Sequence, residues 1–504
     1  DTNKQLCLKV RNDVGATAYE YNALGEMTWS AQGVAYNKTT PACIAKPTTN
    51  VINYIADILG DIKQLDYSGI LTPDVTYERD ANGNVEKITA GDVVQTYHYN
   101  NQNILEDETL TIGSEKSYSL DYGYNALLQL SFTTYPDKTQ VYYLANGYGE
   151  ATQVASYTDF ANSTLDYAYV KDATYYTNGM LNSFTYGNGI KHRTERDSVS
   201  WLPNELVDER AGIAPTPKQL FGIKAVAAPI QVMSLSYTYD NNLNITSVLN
   251  KVHFDYSINR LIYDKLDRLT STEGEASAGS SAISYDGLGN ILTYHNNSLN
   301  NPHNFSYEYD ENNYRLTKVT TNNGASIVRD FSTDSSYDNR GNVLSNGRPK
   351  GINSFSYNLA NQMITAGSSN HYVYDGFNRR VKANKAGIKV SYSMYNQSGK
   401  LMYRETEQGG INYYFLGSKL IAKEGIGVVL AKNKKPEDNT SSVMNYKPFG
   451  ESIDEAIDAV GYTGHKFDKD LGLNYMQARY YDPVIGRFYS NDPVGVNPNN
   501  IHSF

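Results

Sequence analysis

The sequence predicts an all-β protein of stacked hairpins, and three observations lead there. First, 45 Tyr stand against 14 Phe and 2 Trp in 504 residues, with Asn and Gly plentiful and few Leu-rich amphipathic stretches. Tyr, Val, Ile and Thr favour strands, while Asn, Asp and Gly favour the tight turns between them. Second, one short phrase keeps returning: an aromatic, any residue, Tyr, Asp or Asn, two or three variable positions, Gly or Asn, then an aliphatic residue. Third, the interval between copies fits two short strands and two turns, since strands usually run about 5–6 residues and hairpin loops about 2–5.

In chain order, weaker copies begin at Tyr21, Tyr99 and Tyr124, and Arg79-Asp80-Ala81-Asn82-Gly83-Asn84-Val85 keeps everything except the Tyr. The clearest copies are Tyr285-Asp286-Gly287-Leu288-Gly289-Asn290-Ile291, Tyr337-Asp338-Asn339-Arg340-Gly341-Asn342-Val343 and Tyr374-Asp375-Gly376-Phe377-Asn378-Arg379-Arg380-Val381. From Tyr239 the anchors run through Tyr263, Tyr285, Tyr309, Tyr337, Tyr357, Tyr374 and Tyr395 at intervals of 24, 22, 24, 28, 20, 17 and 21 residues. The flanks Ser354-Phe355-Ser356-Tyr357 and His371-Tyr372-Val373-Tyr374 alternate with period two, and the Asp-x-x-Gly-Asn segment supplies the positive-φ position of a turn. A lone hairpin cannot bury its apolar face, so the copies must stack side by side. Twisted sheets longer than about ten strands coil or close. A spiral, a solenoid and a propeller-like ring all satisfy the spacing.

Three stretches interrupt the pattern: Thr/Pro-rich residues 39–50, residues 211–230 with Pro215, Pro217 and Pro229, and the charged segment 433–442. They read as excursions from the sheet, because the repeat resumes on both sides. Cys7 and Cys43 either pair or stay as free thiols; so sparse a usage excludes a disulfide scaffold and a four-Cys zinc site. The net charge of −10 and the lack of an apolar run near 18 residues argue against a strongly basic nucleic-acid binder and a helical membrane protein. The 8 His show no ligand spacing, so no metal and no cofactor is expected. Asp80–Asn84 differs from a calcium loop in its misplaced Gly and missing twelfth-position Glu, and Gly425-Ile426-Gly427 lacks the third glycine of a dinucleotide fingerprint; both read as turns. The Tyr side chains read as cross-strand packing in preference to sugar-binding platforms. Opening on Asp1 without a basic-then-apolar leader, the chain reads as a piece of something longer.

From Asn445 the texture changes: Tyr446-Lys447-Pro448-Phe449-Gly450-Glu451, Gly461-Tyr462-Thr463-Gly464-His465, then Gly472-Leu473-Asn474-Tyr475-Met476-Gln477-Ala478-Arg479-Tyr480-Tyr481-Asp482-Pro483-Val484-Ile485-Gly486-Arg487-Phe488 and Asp492-Pro493-Val494-Gly495. This segment resembles the Rhs repeat-associated core domain of bacterial polymorphic toxins. The preceding copies resemble the YD repeats of Rhs proteins, insecticidal toxin-complex C components and teneurins. The Asp-His-Leu-Gly-Ser phrase that many relatives carry before the Tyr-x-Pro-Phe-Gly motif is absent. The resemblance implies a YD-repeat β-shell over residues 1–444, its hairpins spiralling into a large hollow cocoon, closed by an Rhs core domain over residues 445–504.

The resemblance further implies that the shell encloses a C-terminal toxin segment and that the core domain is an intramolecular aspartyl protease. The family's arginine matches Arg479 and its first catalytic aspartate matches Asp492. Two carboxylates brought together cannot both stay ionised, so one holds a proton as general acid while the other activates water. The second aspartate has no match before Phe504, so the chain as it stands is expected not to cut. Outside the resemblance, Asp492 reads as a turn residue before Pro493, Arg479 as an ion-pair partner for a core carboxylate such as Asp482, and Asp482-Pro483 as a structural corner. The implied partners are the toxin cargo itself, a type VI secretion spike or adaptor, a cognate immunity protein and a second copy in a homodimer, with no nucleic acid bound by the shell. Such a protein is made in the bacterial cytoplasm, secreted and delivered into a target cell. The alternatives are a toxin-complex C-type component that needs a B partner, and a YD-repeat adhesion or carbohydrate-binding protein of the cell surface.

Overall fold

The computed structural model describes residues 5–212, 228–321, 324–348, 350–385, 387–425, 444–454 and 460–492. Among them there is no α-helix, and none long and apolar enough to cross a membrane; only the short 3-10 turns Phe254–Tyr256 and Tyr462–Gly464 break the β structure. Among the described residues, the strands form long antiparallel sheets of 26, 8 and 4 strands. Neighbours in sequence are neighbours in the sheet: Gly15–Tyr21 pairs with Met27–Val34, Val75–Arg79 with Val85–Ala90, Ser281–Tyr285 with Ile291–Asn296 and Asn370–Tyr374 with Arg380–Lys385. The all-β class of stacked hairpins expected from the repeat is the class observed.

The chain divides into two compact units. One comprises Asp1–Ser119, Asn304–Gly399 and Tyr446–Phe504, the other Leu120–His303 and Lys400–Asn445. In the first, Ala18, Trp29, Ala31 and Val51 form one apolar cluster, and Val75, Ile88, Ala90 and Tyr97 another. In the second, the rings of Tyr135 and Tyr169 meet that of Tyr414 at centroid distances of 5.0 and 4.5 Å, near buried Val141, Val154 and Val170.

Each repeat turn is a small hydrogen-bonded frame. At Asp80, the backbone N–H donates to the Asn84 carbonyl (2.9 Å) and the Gly83 N–H donates back to the Asp80 carbonyl (3.1 Å). The Asp80 carboxylate accepts the N–H groups of Asn82 and Asn84 (2.8 and 2.9 Å), so Asp is favoured because its short side chain completes the turn locally. The fourth position has φ of +87° at Gly83 and +86° at Gly289, which is why glycine recurs there. A bulge follows: Tyr285 faces Ile291 while Ser284 faces Thr293, leaving Leu292 unpaired.

In many turns the first and fifth positions are chemically matched. In several that begin with Asp, the fifth residue donates: Asn84 to Asp80 (2.8 Å), Asn290 to Asp286 (2.9 Å), Arg268 to Asp264 (2.7 Å) and Arg379 to Asp375 (2.8 Å). In several that begin with Asn, it accepts: Glu26 from Asn22 (2.6 Å), Gln129 from Asn125 (2.9 Å) and Glu150 from Asn146 (2.8 Å). The turns from Asp57 and Asn100 keep the frame with Asp61 and Ile104 in fifth place.

In several repeats the tyrosine before the turn tethers its hairpin to the preceding one. Its hydroxyl donates to a carbonyl at the start of an earlier strand: Tyr263 to Ile245, Tyr285 to Leu269 and Tyr337 to Leu316 (each 2.8 Å), and Tyr374 to Met363 (2.7 Å). The Arg268 guanidinium covers the Tyr285 ring at 4.7 Å, and Arg315 covers Tyr337 at 5.3 Å.

Residues 39–50 are an irregular connection to the strand Val51–Ala56, as the sequence suggests. Cys7 and Cys43 are joined in a disulfide, their Cα atoms 5.2 Å apart. Most of 211–230, all of 433–442 and the Ile426-Gly427 pair lie outside the described residues.

The C-terminal segment, so different in texture, reuses the turn frame at Lys447. There the N–H of Lys447 donates to the Glu451 carbonyl and that of Gly450 to the Lys447 carbonyl (both 2.8 Å), with Gly450 at φ +85°. A Lys447–Glu451 ion pair at 3.0 Å replaces the Asp–Asn pair. The backbone frame tolerates any complementary side-chain pair, which is how the likeness escapes a reading by residue type.

Candidate functional site around Arg479 and Asp492

The strands Lys466–Asp468, Leu473–Met476, Arg479–Asp482 and Arg487–Phe488 form an antiparallel meander. Met476 faces Arg479, Asp482 faces Arg487 and Tyr481 faces Phe488. This places Arg479 at the start of its strand, with its guanidinium 3.7 Å from the Phe488 ring centroid. The chain leaves the last strand through Tyr489, whose N–H donates to the Tyr480 carbonyl (2.9 Å), and brings Asp492 back to Arg479. Arg479 and Asp492 form an ion pair at 3.0 Å. Partial burial lowers the Arg479 pKa and the Asp492 carboxylate opposes that shift.

Asp482 belongs to a different set of contacts. It is fully buried and pairs with Arg329 at 2.8 Å, while one of its oxygens also accepts the Tyr489 hydroxyl (2.8 Å). Asn346 donates to that same hydroxyl at 3.0 Å. The Asp482 carboxylate also accepts the N–H of Val484, and its carbonyl that of Gly486. Asp482-Pro483 is therefore the structural corner the sequence suggests, and Asp482 is not the partner of Arg479.

A second buried group also holds the meander. Asp468 is fully buried and receives Arg380 (2.6 Å), Lys385 (3.0 Å) and Lys466 (3.3 Å). Burial raises its pKa, but these cations outweigh the effect and hold it well below the usual carboxylate range. The Arg380 guanidinium lies against the rings of Tyr475 (4.3 Å) and Tyr372 (4.9 Å). Removing one partner from such a buried pair typically costs about 3–5 kcal/mol, so these contacts fix the platform on which Arg479 sits.

Beside Asp492 lies a recess of about 270 Å³, lined among others by Lys9, Arg11, Thr17, Tyr19 and Arg340. Arg340 is held by Asp338 (2.9 Å), and Asn491 donates to the Arg340 carbonyl (2.5 Å), which anchors the approach to Asp492. Burial, reinforced by Arg11, lowers the Lys9 pKa.

The two site residues taken from the sequence, Arg479 and Asp492, are thus brought together. One carboxylate steadied by a guanidinium supplies half of an acid–base pair. Sequence reasoning missed Arg329, Arg380, Lys385 and Asp468; their contacts span 153, 88 and 83 residues, and no local spacing signals them. It also missed the turns at Asp57, Asn146 and Asp197, where Ala56, Ala145 and Arg196 stand in place of the anchoring tyrosine.

The fold is one of stacked antiparallel β-hairpins that ends in a four-stranded meander carrying the Arg479–Asp492 pair. No family model matches the chain. The crystal structure of TcdB2-TccC3 without its hypervariable C-terminal region matches at TM-score 0.68 and 13% identity, over 97% of this chain and 26% of that one. The tRNA3(Ser)-specific nuclease WapA of Bacillus spizizenii is 25% identical over 387 residues, covering 71% of this chain and 15% of that protein. The salivary gland surface protein 1 of Aedes aegypti is 45% identical over 59 residues, 10% of this chain and 2% of that protein. The chain thus spans under a third of each of these proteins, and its fold is that of the TcdB2-TccC3 structures.

Proposed function

We propose that this chain forms part of the shell of a toxin complex, a C-type component that encloses a toxin segment together with a B-type partner. The observation that carries this reading is the likeness to TcdB2-TccC3 along 97% of the chain. It favours co-assembly with a partner over the self-contained type VI effector that the Rhs resemblance also implies. Secretion agrees with the Cys7–Cys43 disulfide, because such bonds persist in oxidising compartments. Cargo held unfolded behind a polar, tyrosine-rich wall stays inactive and is not gripped by apolar surface. The type VI secretion spike, the immunity protein and a homodimer belong to the other reading, the self-contained effector, while delivery into a target cell belongs to both.

Self-cleavage is the catalytic part of the proposal. Asp492 would be one carboxylate of the pair, with Arg479 keeping it charged or steadying the developing oxyanion. The test is the intact mass of the natural gene product read past Phe504, for the parent and Asp492→Asn, with and without a B-type component. The parent is expected as two pieces, the variant as one, and the released piece should resist added protease only with the B component present. Pieces alike in parent and variant would make Asp492 a turn residue. Cargo digested equally in both settings would sink the shell reading.

A further inference from the structure

The hairpin of strands Asn370–Tyr374 and Arg380–Lys385 has one buried face, which carries Asn370, Tyr372, Ala383 and Lys385. His371 faces Asn384 and Tyr372 faces Ala383, so the same register sets Asn370 opposite Lys385. Directly opposed side chains of an antiparallel pair have Cβ atoms about 4.5–5.5 Å apart. Both residues are withdrawn from water, Asn370 to 2% exposure and Lys385 to 9%. One carboxylate bridges them. Asp470, in the turn between Lys466–Asp468 and Leu473–Met476, accepts the Lys385 ammonium at 2.6 Å through one oxygen and the Asn370 Nδ2 amide at 2.8 Å through the other. A buried amine, a buried primary amide and a carboxylate bonded to both thus meet on one sheet face, apart from the Arg479–Asp492 pair.

We propose that Lys385 and Asn370 become joined by a side-chain amide bond, a covalent cross-link between neighbouring strands, with Asp470 as the proton carrier. Asp470 takes a proton from the Lys385 ammonium, and the freed Nζ attacks Cγ of Asn370. The Cγ–Nδ2 bond then breaks, and Nδ2 leaves as ammonium with the proton that Asp470 returns and a second one from Nζ. An ammonium and a primary amide become a substituted amide and free ammonium, so no oxidant, reductant or water is consumed. An amine attacks only without its proton, and a base within hydrogen-bond reach supplies that activation. Asp470 touches both the nucleophile and the leaving group, as a base that later acts as the acid must. Opposed on adjacent strands, the two groups meet at high effective concentration. Asp468, the other carboxylate on Lys385 (3.0 Å), is a poor electrophile by comparison. Arg380 and Lys466 also bind it and help hold its pKa well below the usual carboxylate range, so it stays an anion that resists attack. Asp470 is 27% exposed, which leaves the ammonium a way out.

The intact mass of the whole chain, unfolded and with its disulfide reduced after incubation at neutral pH, tests this. The parent is expected about 17 Da below the mass its sequence gives, one ammonia lost. Lys385→Arg, which keeps the charge but not the amine, and Asp470→Ala should both appear at their full sequence mass. Ring closure at a lone asparagine loses the same mass, so protease digestion of the parent must also yield a branched peptide that joins Lys385 to Asn370. A parent at full mass, a parent without the branched peptide, or a Lys385→Arg variant with the same loss would each overturn the proposal. Where a variant fails to fold by far-ultraviolet circular dichroism, the branched peptide of the parent decides.

Discussion

In Tyr285 the hydroxyl and the ring do separate things. The ring lies under the Arg268 guanidinium at 4.7 Å, and the hydroxyl reaches the Leu269 carbonyl at 2.8 Å, on the return strand of the hairpin before. Phenylalanine keeps the first contact and loses the second. Tyr285→Phe is therefore expected to cost about 1 kcal/mol, the usual net value of one hydrogen bond, read as a lower urea midpoint. Tyr148→Phe, at a turn tip exposed to 91%, should leave the midpoint unchanged. Equal midpoints for both variants would mean that the tether carries no stability.

At the scale of the hairpin, the residue in first place divides many of the turns into two electrostatic kinds. Asp80 and Asp264 have pKa values below the ordinary aspartate range, chiefly through hydrogen bonds from Asn84 and Arg268. A carboxyl whose folded pKa is depressed contributes stability above its unfolded value, near 4, and loses it as pH falls through the folded value. Turns led by Asn22, Asn125 and Asn146 have no such carboxylate at the first position. Acidification below about pH 4 should thus speed amide hydrogen exchange at Asn82, Asn84 and Arg268 more than at Leu24, Leu127 and Tyr148, after correction for intrinsic rates. A uniform change would refute the distinction. The turn frame was legible in the sequence because it is local: five residues, one carboxylate and one positive φ. Where the tyrosine is missing, as at Asp57 and Asn146, the frame persists and the pattern fades, since the backbone needs only the first and fourth positions. The pairing of Arg479 with Asp492 was legible only through resemblance. The buried Arg329–Asp482 and Arg380–Asp468 pairs join residues from distant hairpins and were not legible at all.

Among the described residues, buried tyrosines recur in the core beside Val, Ile, Leu and Ala, and this gives the protein a weakness of definite sign. Burial pushes Tyr175, Tyr285 and Tyr403 up to about 12, and drives the buried Tyr357 and Tyr374 well above their ordinary value. In the unfolded chain the same groups ionise near pH 10. Between those values the unfolded state has lost protons that the folded state keeps, so the unfolded state gains as pH rises. Stability from this source is complete below about pH 10 and drains away above it. Because the tyrosines recur through both units, the loss should not be confined to one end of the sheet. The urea midpoint followed by near-ultraviolet circular dichroism should stay level from pH 7 to about 9 and fall steeply between about 10 and 12, recovering on return to neutrality. Exposed tyrosines such as Tyr148 ionise first in the folded chain, so the 295 nm absorbance should rise in two steps, a small one before unfolding and the larger one with it. A single rise near pH 10 that accounts for nearly all the tyrosines in a chain that remains folded would show that the tethering hydroxyls are open to water, and would remove the tethers between hairpins as a source of stability.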